Sequence, residues 1–311
     1  MSAAAQTGAD PAAWSRSVVK VRASVPDDAF TASILGTERS GNGFIIGADG
    51  LVLTIGYLIT EASDVWLTDH AGRELPGHAL AYDPVTGFGL ILPLGTLDAA
   101  PLPLGDGRAL RTDQPLHVLS HPDLAPPLDV KVLSLREFAG AWEYLLDEAI
   151  FTAPAHTHWS GAALVDAHGS VVGLGSLLVR ELSGGKETDA NMFVPTDLLK
   201  PLLADLRLTG KVARPPRPWL GLYAAEIKGT VVVAGVAEGG PAQRADLREG
   251  DLIREVGARE VSSMAELYRA IWSQGPAGSI ITLTTTRGGK PAIVKVQSID
   301  RSDLLKRPRA H

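Results

Sequence analysis

The chain has no cysteine. That excludes disulfide staples and thiolate metal sites, and it suits reducing and oxidising compartments alike. Aromatic residues are scarce, at 5%, whereas glycine (33) and proline (21) are plentiful. That balance fits many short strands joined by turns rather than long helices. A basic cluster is also missing, and the formal net charge is -6, which excludes nucleic acid as the main partner. The basic tail Lys306-Arg-Pro-Arg309 is too short to alter this. No window approaches the roughly 18 consecutive apolar residues of a membrane span. Residues 1–16 lack the apolar run of a signal peptide. The expected compartment is therefore the cytoplasm by default, or the periplasm if a signal peptide has been removed. Neither a cofactor nor a metal is expected. What is present is a 45% hydrophobic content over 311 residues, enough for two domains with packed cores.

Alternating apolar and polar residues mark strands along most of the chain. Ser17–Ala23 opens the first sheet, and a polar connection is expected over Pro26–Asn42. Gly43–Ile46 and Leu51–Thr54 form a hairpin about the turn Gly47-Ala-Asp-Gly50. Val65–Thr68, Glu74–Tyr82 and Gly89–Leu92 follow, and Pro101–Asp106 is a stiff extended connection. The second half repeats the habit with Pro115–Ser120, Asp129–Phe138 and Trp142–Leu146. A polar loop is expected over Ser183–Ala190, then a strand Phe193–Pro195. Thr196 is positioned to cap a helix running from Asp197 to about Leu206, with Gly210 beyond its end. Lys211–Pro218 carries three prolines and three basic residues and reads as a stiff, solvated linker. Beyond it, Ser263-Met-Ala-Glu266 is a capping box opening a helix to about Gln274. Strands Ser279–Thr286 and Ala292–Ser298 flank a Gly288-Gly289 turn. The whole reads as mainly β: two packed β-barrels and a smaller domain.

The stretch Phe151–Gly175 organises the chain. Trp159-Ser160-Gly161 is a tight polar turn leading into a buried strand, Ala162–Val165. A serine on such a turn is either a nucleophile with oxyanion amides beside it or part of a plain turn between core strands. His156 and His158, two apart on an extended segment, face the same way, but no third ligand accompanies them. Trp159 reads as a packed or cleft-lining aromatic.

Three segments, in order, resemble the HtrA family of trypsin-like serine proteases with a PDZ domain. Gly41–Thr54 resembles the hairpin leading to that family's catalytic histidine, and Tyr82–Leu90 the segment holding its aspartate. His158-Trp-Ser-Gly-Ala-Ala-Leu-Val-Asp166 is similar to its nucleophile motif Gly-Asn-Ser-Gly-Gly-Pro-Leu-Val-Asp. The resemblance implies a trypsin-like double β-barrel over 17–210, a linker at 211–218 and a PDZ domain over 219–300. It also places Tyr57 where the family has its histidine and Gly87 where it has its aspartate. Ser160 keeps the nucleophile position, and His158 replaces the glycine two before it. A phenol, with a pKa of about 10, stays protonated at neutral pH and cannot take a serine's proton. Ser160 is then a vestigial nucleophile position in a pseudoprotease. The alternative is a serine endopeptidase whose base is His121 or His156.

In the PDZ segment, Pro218-Trp-Leu-Gly-Leu222 matches the family's carboxylate-binding loop. Trp219, Leu220, Gly221 and Leu222, with Leu267 and Ile271 on the helix after Ser263, are the expected peptide-binding residues. Leu267 and Ile271, at i and i+4, equally suit the domain core. The implied partners are peptide or protein C-termini. HtrA relatives are often trimers through aromatic N-terminal segments, and only Trp14 precedes the first strand here.

Overall fold

In the computed structural model, which describes residues 10–183 and 186–306, the alternating segments close into two six-stranded barrels. The first contains β1 (Val18–Ser24), β2 (Glu38–Ile45), β3 (Val52–Ile55), β4 (Asp64–Thr68), β5 (Glu74–Tyr82) and β6 (Phe88–Pro93), in the closed order β1-β2-β3-β6-β5-β4. Its interior is set by period-two burial: Val19, Val21 and Ala23 of β1 point inward while Arg22 stays out. The β2–β3 turn needs Gly50, whose φ of 79° lies in the left-handed region.

The second barrel contains β7 (Pro115–Leu119), β8 (Leu128–Gly140), β9 (Tyr144–Ala153), β10 (Ala163–Val165), β11 (Val171–Ser183) and β12 (Lys186–Pro195), closed as β10-β11-β12-β9-β8-β7. Leu116, Val118, Ile150, Leu164, Val172 and Phe193 fill it. The chain is thus mainly β, as its composition implies.

Four segments differ from the sequence reading. Within the expected connection Pro26–Asn42, strand β2 already starts at Glu38. The polar Arg39 is buried there, and its guanidinium donates to the carbonyls of Gly36, Tyr57 and Thr60 and to Thr31 Oγ1. Of the expected polar loop Ser183–Ala190, Ser183 ends β11 and Lys186–Ala190 belong to β12, whose register with β11 runs from Lys186 to Pro195, while Gly184 and Gly185 lie outside the described residues. Trp142 and Glu143 belong to a turn rather than a strand, with Glu143 at φ 59°. The helix expected from Asp197 begins only at Leu203. Pro201 disfavours helical backbone just before it, and Thr196 Oγ1 donates to the Val171 carbonyl (2.6 Å) instead of capping. That helix does end at Gly210, at φ 70°.

The third sheet runs in the order β13-β14-β15-β17-β18: β13 (Leu222–Ile227), β14 (Thr230–Val236), β15 (Leu252–Val256), β17 (Ile280–Arg287) and β18 (Lys290–Gln297), with β16 (Arg259–Glu260) paired to β15. The helix Met264–Trp272 lays Ala265, Leu267, Tyr268, Ala270 and Ile271 on the apolar core. Ser263 Oγ caps it through the Glu266 amide (3.1 Å). The Glu266 carboxylate reaches Ser262 rather than Ser263, one position off the expected box.

The chain forms two compact units. One holds both barrels; the other comprises Ala213–Leu305 together with Glu137–Asp147, the tip of the β8–β9 hairpin. Among the described residues, no helix is long and apolar enough to cross a membrane.

Candidate serine site and peptide groove

Tyr57 sits in the short turn Gly56–Leu58 that follows β3. Gly56 is required there, since a Cβ would lie 2.1 Å from the Tyr82 ring. Its amide donates to the Gly87 carbonyl at 2.7 Å. The far side of the turn is held by Arg39, bonded to the Tyr57 carbonyl at 2.8 Å. Buried Glu61 braces the same region, accepting from the amides of Phe30, Thr31 and Lys306 and from the Thr31 hydroxyl.

The Tyr57 hydroxyl lies 2.9 Å from Ser160 Oγ and 2.9 Å from the Ser176 carbonyl. A phenol has one proton, and a carbonyl can only accept. The proton therefore goes to Ser176, and the serine hydroxyl turns its own proton to the phenol oxygen. Burial pushes the Tyr57 phenol up to about 12, outweighing the opposing pull of Ser160. At neutral pH it is fully protonated and cannot act as a base. Gly87, at φ 84°, carries no side chain toward this turn. The carboxylate of nearby Asp83 is occupied by the Thr86 amide and hydroxyl at 3.1 and 2.7 Å.

The Ser160 turn is pinned by Asn42, a residue not singled out from the sequence. Its Nδ2 donates to the carbonyls of His158 (2.9 Å) and Ser160 (3.1 Å), and its Oδ1 accepts from the His121 amide (3.0 Å). The clue in the sequence is a lone amide between two glycines, Gly41-Asn42-Gly43, in an otherwise apolar hairpin. Gly161, at φ 72°, is obligatory, because a Cβ would come within 1.8 Å of the Asn42 carbonyl.

Neither histidine offered as a replacement base is available. Buried His121 accepts from the Asp123 amide at Nδ1 (3.2 Å), so its proton is on Nε2, which donates to the Asp69 carbonyl (3.0 Å). His156 Nδ1 accepts from the His158 amide at 3.0 Å. Its pKa is lowered by burial and then by neighbouring His158, so the ring is neutral. His158 itself is exposed. The bond between His156 and the His158 amide also ties down the backbone donor two residues before Ser160, where a trypsin-like site would direct it at an oxyanion. Among the described residues, no group of three side chains could hold a metal with His156 and His158.

In the second unit, Trp219 exchanges backbone bonds with Ile299 (3.0 and 3.1 Å), which anchors the loop that follows. Gly221 turns at φ 73°. The amides of Leu220 (3.1 Å) and Leu222 (3.0 Å) then converge on one carboxylate, that of Glu143. Burial pushes the Glu143 carboxyl up to about 7, against the amides of Leu222, Leu220 and Gly221 and the charge of Arg301, which pull it down. The residue as a whole is only half-buried, but the enclosed part is the charged end, and that part governs the shift. Leu267 and Ile271 are fully buried, in one apolar cluster with Leu220, Leu222 and Leu145.

Residues 41–174 match the trypsin-like peptidase domain family, and residues 218–297 match the PDZ domain family. A Halomonas elongata protein named "Probable periplasmic serine endoprotease DegP-like" is 27% identical over 287 residues, covering 86% of this chain and 57% of its own length. Serine protease PepD of Mycobacterium tuberculosis is 26% identical over 298 residues, covering 86% of this chain and 63% of its own. The chain thus spans less than two thirds of these curated relatives. Among solved structures, the HtrA-type protease AlgW with decapeptide superposes with a TM-score of 0.56 at 20% identity, covering 96% of this chain and 100% of that one. The serine endoprotease from Yersinia pestis gives 0.54 at 19%, covering 95% and 99%. These likenesses establish a trypsin-like fold followed by a PDZ domain. With that order of domains and those relatives, the chain belongs to the HtrA family.

Proposed function

We propose that this protein is a catalytically silent HtrA-like pseudoprotease that binds peptide or protein C-termini through its PDZ domain. The observation that carries the reading is Tyr57: a protonated phenol stands against Ser160, where a working site needs a base. An unassisted serine hydroxyl is a weak nucleophile, and the His158 amide is turned to His156. Ser160 is a relic under this reading. For the binding half, the support is that the Leu220 and Leu222 amides already grip a carboxylate, the group by which PDZ domains take a chain terminus. The periplasm is the proposed compartment, after the names of the relatives.

The test is labelling with a fluorophosphonate, alongside casein turnover. No Ser160-dependent signal is expected from the unmodified protein. Labelling that disappears in Ser160→Ala would reinstate the alternative, a serine endopeptidase with an unconventional base.

A further inference from the structure

A PDZ groove has three walls that a strand-adding peptide must engage: the amide loop, the edge strand and the facing helix. Here the edge strand is β13, at the end of its sheet. The hairpin tip Glu137–Asp147, part of this same unit, touches all three. Its Glu143 carboxylate accepts from the loop amides of Leu220 and Leu222. The Ala141 carbonyl accepts from the Ala224 amide of β13 at 2.9 Å, a backbone bond of the kind an added strand makes. On the helix, the Tyr268 hydroxyl donates to the Gly140 carbonyl at 2.7 Å, and Arg269 is paired with both Glu137 and Asp147. Leu145, two residues past the carboxylate, is buried with Leu220, Leu222, Leu267 and Ile271.

We infer that residues 137–147 are a built-in ligand of the PDZ groove that imitates a C-terminal leucine and must withdraw before an external chain terminus can bind. Glu143 supplies the carboxylate, Leu145 the aliphatic side chain and Ala141 the strand carbonyl. A C-terminal leucine presents the first two on one residue; the hairpin presents them on two residues that share a turn. The positive φ of Glu143 (59°) places its side chain at the tip of that turn. The carboxylate is the group with most to lose on docking, and the three amides around it are its compensation. The inference rests on reading this unit as a peptide groove. It adds that the groove is closed in the resting protein and that its ligand ends in a free carboxylate on an aliphatic residue.

Because the closed form excludes the external peptide, the apparent Kd equals the intrinsic Kd divided by the open fraction. The experiment uses the full chain and two readouts. Hydrogen exchange reports the Leu220 and Leu222 amides directly. Fluorescence polarisation measures binding of a labelled hexapeptide ending in leucine, as the free acid and as the amide. Glu143→Ala should accelerate exchange at both amides and tighten free-acid binding at least tenfold, with the amidated peptide failing against both proteins. If Glu143→Ala loses its cooperative melt, Arg269→Ala carries the test; it releases Glu137 and Asp147 from the helix without emptying the turn. Unchanged exchange, or measurable peptide binding of equal affinity in variant and parent, overturns the built-in ligand. Faster exchange with no peptide binding in any protein upholds it and refutes the peptide-binding reading instead.

Discussion

Restoring the two missing triad side chains should not by itself restore hydrolysis, and the reason lies one turn away from both of them. Tyr57→His supplies an imidazole where the phenol now contacts Ser160. Gly87→Asp supplies a carboxylate, at a cost: the φ of 84° at this position strains any residue with a Cβ by roughly 1–2 kcal/mol. What neither change touches is the His158 amide, held 3.0 Å from His156 Nδ1. Loss of one oxyanion donor costs about 10²–10³ in kcat, roughly 2.7–4 kcal/mol. His156→Phe keeps the buried volume but offers no acceptor, so it releases that amide. Three proteins are compared for fluorophosphonate labelling rate and for kcat on a fluorogenic peptide: the parent, Tyr57→His/Gly87→Asp, and the same pair with His156→Phe. Ser160→Ala in each background is the blank. The triple variant should exceed the double by roughly 100-fold or more, the factor of one recovered donor. A double variant within threefold of the triple would show that the His156 contact does not limit the site, and the reasoning would fail.

Three further outcomes follow from the same geometry. Asn42→Ala removes the partner of the His158 carbonyl and of the His121 amide, while the Ser160 carbonyl keeps the Asn42 backbone amide; at about 1 kcal/mol each this should cost roughly 2 kcal/mol and lower Tm by roughly 4–8 °C, and a shift under 2 °C by calorimetry would contradict its role. Glu143 titrates from an ordinary 4.5 to about 7 when docked, so its protonated form favours docking; the contribution is complete below 4.5 and lost as pH rises through 7. Peptide affinity should therefore improve between pH 5 and pH 8, and an affinity that falls over that range would refute the assignment. Brief trypsin treatment should cut after Lys211, because Arg214 and Arg217 are each followed by proline and the segment is exposed; first cuts at Lys20 or Arg22 in β1 or at Arg39 in β2 would contradict the fold.

The two barrels were readable because half-buried antiparallel strands alternate, and alternation is a local signal. The PDZ elements were readable for the same reason, and the Ser263 cap because a helix start needs only four residues. Features that depend on distant partners left little local trace. Asn42 bonds groups 79 to 118 residues away, and nothing in Gly-Asn-Gly names them. Arg39 falls within the expected polar connection Pro26–Asn42, and the carbonyls of Tyr57 and Thr60 that bury it lie 18 and 21 residues further on. The long β11–β12 hairpin reads as a loop where both of its faces are polar. Glu143 reads as part of the strand Trp142–Leu146, and its role depends on amides 77 and 79 residues downstream.

That last separation bears on how the chain folds. The second unit is assembled from two pieces of sequence, and the earlier piece, 137–147, lies inside a strand pair of the second barrel. A loop of this length must close before the unit gains its full set of contacts, so its final consolidation waits on a non-local step. During synthesis the hairpin is made well before the sheet that receives it. A fragment starting at Ala213 would lack Leu145 from its core and leave the Leu220 and Leu222 amides without the acceptor they have in the intact chain. Such a fragment is a different protein from the same residues in their full context: less stable, and open at the groove from the start.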